Sequence, residues 1–410
     1  MIARSDVVIV GAGHAGAQTA IALRQNGHNG SITVFSDETS LPYERPPLTK
    51  DFLADEISFE RLIFREQSYW DEIDVRLQLG AQIVSVDPKA QTVTQLNGAR
   101  HGYGSLVWAT GGKPRSLAPL DESITKVFTI RGRADVEALK QHLPKAQKIT
   151  IIGGGYIGLE ASAVMRGLGK DVTLLEASDR ILSRVTGQEI SDFFAACHAN
   201  QGVKIKTQAL VKSIDEASAG SLCVLLDNGE HIDAHLVIVG IGIDPSVAPL
   251  IDAGADGQNG VDVDHYCRTS VPNVYAIGDC ACHLNRFAAG KRIRLESVQN
   301  ANAQAIIAAK SIAGKPQPYD AVPWFWSHQY DIKLQTAGLF HDFDNSIVRR
   351  YNDTSFSVVY TKNGKIVAVD CVNAMKDYIQ GRKLVSSGAR LSETLVVDSA
   401  NQLKDCIVSA

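Results

Sequence analysis

The chain has 410 residues, and at roughly 150 residues per domain two or three domains are expected. Apolar residues make up 45% and charged residues 21%, with 34 glycines and 13 prolines, which excludes a disordered chain, a collagen-like chain and a small disulfide scaffold. Forty-one basic against 45 acidic side chains leave a net charge of −4, so there is no global attraction for nucleic acid. The seven cysteines (Cys197, Cys223, Cys267, Cys280, Cys282, Cys371, Cys406) are irregularly spaced and include no Cys-x-x-Cys pair. Such a set is no disulfide framework and suits a reducing, cytoplasmic setting. No metal site is expected. No signal peptide fits, because Val7–Val10 already runs as a strand into a glycine turn, and no apolar run is long enough to span a bilayer.

In chain order, Ser5–Val10 predicts a strand, Gly11-Ala12-Gly13-His14-Ala15-Gly16 a turn, and the Ala-rich stretch to about Asn26 a helix. Ser31–Phe35 predicts the next strand and closes a βαβ unit. Pro46 and Pro47 exclude a helix in the loop 43–52 until Leu48, where one can restart. Ala81–Asp87 and Ser105–Ala109 read as strands, the second running into Thr110-Gly111-Gly112. The pattern then repeats, about 140 residues on: strand Lys148–Ile152, turn Gly153-Gly154-Gly155-Tyr156-Ile157-Gly158, helix to about Leu168, strand Asp171–Leu175 ending at Glu176. Gly240-Ile241-Gly242 follows, then a strand Asn273–Ile277 ending in Gly278-Asp279 before an expected helix. Ser297–Ile312 predicts a long Ala-rich helix. Beyond Pro323 the segments Ser355–Thr361 and Lys365–Val372, joined at Asn363-Gly364, predict a hairpin.

The repeated glycine turn points to dinucleotides. A pyrophosphate binds where free N–H groups and the dipole of a helix N-terminus meet it. The first glycine makes the turn, the second admits the phosphates, and the third lets helix and strand pack closely. Each copy follows a strand, opens a helix and leads to a second strand with an acidic end, the context that gives the motif its meaning. Glu176, eighteen residues after Gly158, is the candidate for the ribose hydroxyls. A carboxylate there repels a 2′-phosphate and favours NADH over NADPH, although Arg180 and Arg184 lie close in sequence. In the first unit Asp37 and Glu38 are the candidates. Two adjacent dinucleotide sites suggest transfer from a nicotinamide to a flavin, with the glycine spacing silent on which site holds which.

The chain resembles the FAD-dependent, NADH-utilising ferredoxin reductases of bacterial oxygenase systems, of the putidaredoxin reductase and biphenyl dioxygenase reductase type. The resemblance rests on GAGHAG at 11–16, PYERPPLTKDF at 42–52, ATGG at 109–112, GGGYIGLE at 153–160, Gly278-Asp279, ESVQNA at 296–301 and WFWSHQYDIKLQ at 324–335, in that order over nearly the whole chain. It implies an α/β fold of two Rossmann-like dinucleotide-binding domains, glutathione-reductase-like, plus a C-terminal α+β domain. The FAD-binding domain would be discontinuous, 1–113 and 245–320, with a NAD-binding domain at 114–244 inserted and the third domain at 321–410.

On this resemblance FAD occupies the first site, with Val84, Ala109, Thr110 and Gly111 against it and Asp279 on its ribityl chain. Arg45 and Lys50 reach toward the FAD, and Arg131 lies near it. Lys50 and Glu160 are expected as an ion pair beside the isoalloxazine, and Glu296, Ser297, Val298 and Trp326 line the flavin. NADH takes the second site, with Gly240 against it and Arg184 near its adenine. Lys50, Glu160 and Trp326 are the residues expected at the chemistry. His328 stands where an acidic residue is frequent. Val298 stands where several dioxygenase reductases carry Trp, which sets the chain nearer the cytochrome P450 branch.

With no cysteine before Cys197, the redox-active disulfide of glutathione-reductase-like enzymes and the loop cysteine of NADH peroxidases have no counterpart. The expected activity is therefore that of a flavoprotein ferredoxin reductase. It moves electrons from NADH through FAD to a small [2Fe–2S] ferredoxin that feeds a cytochrome P450 or a ring-hydroxylating (Rieske) dioxygenase. Arg61, Arg65, Lys291, Arg292, Arg294, Arg349 and Arg350 are candidates for steering it. The alternatives are a rubredoxin reductase, a flavin-dependent NADH oxidase, or, from another class, a signalling flavoprotein resembling apoptosis-inducing factor. The last would want a basic surplus, which the charge does not offer.

Overall fold

A computed structural model describes residues 2–117, 124–217 and 220–408. The expected domain limits at 1 and 410, and the stretch 118–123 of the expected NAD domain, lie outside them. The contacts divide the chain into two units. One comprises Met1–Glu44, Glu60–Lys113 and Asp244–Phe325, the other Arg45–Phe59, Pro114–Ile243 and Trp326–Ala410.

In the first unit the β-branched run Ala3–Val10 is the middle of a mixed sheet. It pairs in parallel with Ile32–Phe35 on one side and Arg100–Trp108 on the other. Val75–Gln78 and Val274–Ala276 extend the parallel part, and the hairpin Ile83–Asp87/Thr92–Gln95 adds antiparallel strands. Covered on both faces, these strands read as continuous apolar runs rather than alternating ones. Val7 and Ile9 pack under the Ala-rich helices His14–Gln25 and Val298–Ile312, where Ala17, Ala20, Ala305 and Ala309 let the backbones approach. Val8, Val10, Phe35 and Trp108 fill the opposite face. Each such buried aliphatic side chain contributes about 1.5–3 kcal/mol.

The second unit repeats the plan. Five parallel strands run in the order Lys204–Lys206, Asp171–Leu175, Lys148–Ile152, Leu236–Val239, Val127–Thr129. A three-stranded antiparallel sheet, Val211–Glu216, Leu222–Leu226 and His231–Ala234, is attached. The same unit carries a five-stranded C-terminal sheet with helices Met375–Ser387 and Glu393–Val397. Its predicted hairpin is present: Asn363 and Gly364 take φ of 50° and 73°, the left-handed pair that a two-residue turn needs.

Two local expectations are corrected. Pro46 and Pro47 do not postpone the helix; they open the 3₁₀ turn Pro46–Thr49, since first-turn N–H groups have no intrahelical partner to lose. Gly278-Asp279 leads into a single 3₁₀ turn, Gly278–Cys280, and then the strand Ala281–Leu284, not a helix.

Candidate functional site

The two glycine turns have the same backbone. Gly11 and Gly153 take φ of 103° and 108°, and their N–H groups donate to Phe35 O and Leu175 O at 2.7 and 2.8 Å. A Cβ on Gly11 would stand 2.3 Å from Ala109 O, and one on Gly153 2.3 Å from Gly240 O. A Cβ on Gly16 would stand 1.8 Å from Gly11 O, and one on Gly158 1.9 Å from Gly153 O. Only glycine permits these approaches. Gly13 and Gly155, in extended conformation, precede helices His14–Gln25 and Tyr156–Gly167 without a side-chain cap or an acidic residue in the first turn. A Cβ on Gly155 would meet nothing within 4 Å. These are the features a pyrophosphate requires: uncapped N–H groups at a positive helix end and no side chain in the way. Ala15 is buried, and the ring of His14 lies edge-on to Phe64 at 4.9 Å.

The equivalence of Phe35 and Leu175 sets the strand-end positions in register. Glu176 Oε2 accepts from Gly154 N at 2.6 Å and Oε1 from Ser178 N at 2.7 Å. In the first unit the matching residue is Ser36, whose Oγ accepts from Glu38 N at 3.2 Å. Asp37, next along, is exposed, and Glu38 accepts from Tyr43 OH at 2.5 Å. Ser36 was not singled out in the sequence. The only signal for it is the count from the end of the strand.

Of the other first-unit candidates, Ala109 lies against that turn and Gly278 against its helix. Thr110 Oγ1 donates to Ser246 O at 2.8 Å, and Gly111 takes φ 63°. Gly278, φ 74°, sits where a Cβ would be 3.2 Å from the Ala15 side chain, and its N–H donates to Gln304 at 2.7 Å, so Asp279 follows a turn set against the first helix. Ser297 caps the helix Val298–Ile312, and Glu296 pairs with Arg294 at 2.8 Å. Val84 is exposed, at a register shift of its hairpin.

In the second unit Lys50 and Glu160 meet. Lys50 Nζ is 2.6 Å from Glu160 Oε2, which Thr49 Oγ1 also approaches at 2.6 Å, and Ser327 Oγ donates to Oε1 at 2.6 Å. Glu160 is 3% exposed, so a charge expensive to bury is matched by a cation and two hydroxyls. Gln329 Nε2 donates to Ser327 Oγ at 3.1 Å, and its Oε1 is 2.8 Å from His198 Nε2. Thr49, Ser327, Gln329 and His198 were missed in the sequence. The alternation in Trp324–Gln329 is the signal that could have found two of them, since it turns Ser327 and Gln329 inward and leaves Trp326 half-buried and His328 exposed. Burial and the Lys50 charge hold the His328 imidazole below its ordinary range. Burial, then the charges of Asp370 and Glu160, push the Tyr156 phenol well up. Arg45 donates to Arg131 O at 2.6 Å. Ile157 and Arg184 are exposed, while Arg180 is engaged with Thr186 O, Ser183 O and Ser191 Oγ.

Two steering candidates are corrected. Arg349 is fully buried against Asp377 at 3.2 Å, and the Arg294 side chain is 7% exposed. Arg61, Arg65, Lys291, Arg292 and Arg350 are exposed. Among the described residues all seven cysteines are free, five of them buried, no cluster could hold a metal ion, and no helix is long and apolar enough to cross a membrane.

Residues 5–305 match the family described as pyridine nucleotide-disulphide oxidoreductase, and residues 324–407 match the reductase C-terminal domain. The chain is 50% identical over 402 residues to the 5,5'-dehydrodivanillate O-demethylase ferredoxin reductase subunit of Sphingobium sp. (strain NBRC 103272 / SYK-6), covering 98% of each. It is also 50% identical over 402 residues to a ferredoxin–NAD(P)(+) reductase of Sphingomonas sp, covering 98% of this chain and 97% of that one. Among solved structures, the reductase of the covalent putidaredoxin reductase–putidaredoxin complex superposes with a TM-score of 0.93 at 34% identity, over 98% of both chains.

Proposed function

This chain belongs to the pyridine nucleotide-disulphide oxidoreductase family, as a ferredoxin reductase that uses FAD and NAD(P)H, and on that premise we propose how its residues divide the work. The first glycine turn, with the segment through Asp279, holds FAD, in a discontinuous domain of 1–113 and 245–320. The second turn, in the inserted domain 114–244, holds NADH in preference to NADPH. The observation that carries this division is the pair of matched turns, of which only the second ends in a carboxylate. Glu176 accepts from the ribose hydroxyls and repels a 2′-phosphate. It is already oriented by Gly154 and Ser178, so little ordering is left for binding.

Bound FAD supplies the chemistry, accepting two electrons from the nicotinamide and releasing them singly. The chain supplies orientation and fixed charge. Lys50 presents a cation held by Glu160, and Thr49 and Ser327 hold the Glu160 carboxylate in place. Trp326 offers an aromatic wall. The single-electron acceptor is a small acidic [2Fe–2S] ferredoxin serving a cytochrome P450 or a ring-hydroxylating dioxygenase, in the cytoplasm. Support for this partner comes from the two relatives named as ferredoxin reductases and from the solved complex with putidaredoxin.

The test is anaerobic titration of the flavin absorbance with NADH, followed by an oxidised [2Fe–2S] ferredoxin. Bleaching by NADH and ferredoxin-dependent reoxidation is the expected result. Bleaching without transfer to several ferredoxins or a rubredoxin overturns the partner assignment. Bleaching as efficient with NADPH overturns the role given to Glu176.

A further inference from the structure

The second unit buries two carboxylates that the proposed mechanism does not use: Asp377, paired with Arg349, and Asp370. Asp370, on the strand Lys365–Val372 of the C-terminal sheet, is 2% exposed. Its Oδ2 accepts from Thr186 Oγ1 at 2.5 Å and from Tyr360 OH at 2.9 Å. The Tyr360 oxygen accepts in turn from Gly187 N at 3.0 Å, and a Cβ on Gly187 would come within 2.6 Å of that oxygen. Two neighbouring residues of the inserted domain are thus fastened to the C-terminal sheet by one acid and one phenol.

Those two residues end a segment tied to the nucleotide turn at its other end. Leu182, held in the left-handed region at φ 54°, donates its N–H to Gly154 O at 2.9 Å. Gly154 N donates to Glu176 Oε2. Between the ends, Arg180 bonds Ser183 O and Thr186 O, and Thr186 N bonds Leu182 O at 3.2 Å. Arg184 projects from this stretch, exposed, with Nη2 4.0 Å from where a Cβ on Gly242 would stand. A left-handed leucine is strained, so the surrounding bonds must hold it.

We propose that Asp370 and Tyr360 are positioning residues for NADH: the C-terminal domain braces the segment 180–187, and through Leu182 and Gly154 fixes the turn on which Glu176 depends. The inference rests on the reading of the second turn as the NADH site. It gives the C-terminal domain a task in nucleotide binding, which its position outside the glycine motifs does not suggest.

The test uses the FAD-loaded protein and two shape-conserving variants. Thr186→Val and Tyr360→Phe each delete a hydroxyl that bonds the buried charge. Such bonds are worth enough that the NADH dissociation constant is expected to rise about tenfold in each. The loss falls on the KM for NADH more than on kcat with ferricyanide as acceptor. Amide hydrogen exchange of Leu182–Gly187 quickens, and FAD content is retained. Thr186→Ser, which keeps the hydroxyl, restores tight binding. Glu176→Ala serves as the reference. If it weakens NADH while Thr186→Val and Tyr360→Phe leave the dissociation constant unchanged, the bracing role is overturned and the site reading stands. If Glu176→Ala leaves NADH affinity unaltered, the site reading falls and the proposal falls with it.

Discussion

Breaking the Lys50–Glu160 pair one partner at a time should cost different amounts. At 2.6 Å the gross attraction is about 6 kcal/mol at an effective dielectric of about 20, and desolvation of Glu160, 3% exposed, cancels part of it. In Lys50→Met the carboxylate keeps only Thr49 and Ser327 as partners. The expected loss is about 3 kcal/mol, the low end for stranding a buried charge. In Glu160→Gln the shape stays, and Lys50, 17% exposed, can still use Pro46 O at 3.3 Å and water, so the loss should be about 1 kcal/mol. The double variant should resemble Glu160→Gln, leaving a coupling of about 3 kcal/mol. Urea unfolding followed by circular dichroism, at one fixed excess of FAD for all four proteins, gives the cycle. Losses that add within about 0.5 kcal/mol would refute the view that the two charges depend on each other.

The two turns should fail separately. Gly158→Ala forces its helix away from Gly153 O and should weaken NADH binding about a hundredfold with FAD retained, whereas Gly16→Ala should yield protein that purifies without flavin absorbance. Equal losses of both cofactors in either variant would count against separate sites. For Asp370, burial raises the acid from the ordinary 3.8 to about 6, with Glu189 adding repulsion and Thr186 and Tyr360 opposing it. The neutral form is therefore favoured on folding, a contribution fully present below about pH 4 and lost as pH rises through about 6. Asp370→Asn, neutral throughout, should gain on the parent over that window by about 3 kcal/mol, and a pH-independent difference in urea midpoints would contradict it. Ferredoxin reduction should slow as salt is raised, because the exposed Arg61, Arg65, Lys291, Arg292 and Arg350 steer at long range; a rate indifferent to ionic strength would remove them.

The sequence carried the glycine turns completely, because a backbone that meets a carbonyl at about 2 Å tolerates no other residue, and that constraint is local. The strands around them were legible for a similar reason, since β-branched runs buried on both faces leave an uninterrupted apolar signature. What lay outside local rules was lost. Thr49 and Ser327 come from segments far apart in the chain and gain their meaning only by converging on Glu160. Arg349 looks like any surface cation in sequence, yet its burial is fixed by Asp377 and the carbonyls of Val396 and Asn401. Ser36 differs again. It stands where Glu176 stands in the second unit, but only the strand register separates it from the two acids that follow.

The burial of the cysteines bears on the conditions the enzyme can tolerate. Peroxide attacks thiolates in proportion to how much thiolate is present and exposed. Burial drives the Cys280 thiol up to about 11 and the Cys267 thiol higher, and it raises Cys371 and Cys406 as well. Cys197 and Cys223 differ: both are half-buried, the first on the helix Gln188–Asn200 and the second 3.1 Å from His231 Nδ1 on the small antiparallel sheet, and neither lies on a glycine turn. Thiol oxidation should therefore collect first at positions that lie on neither glycine turn.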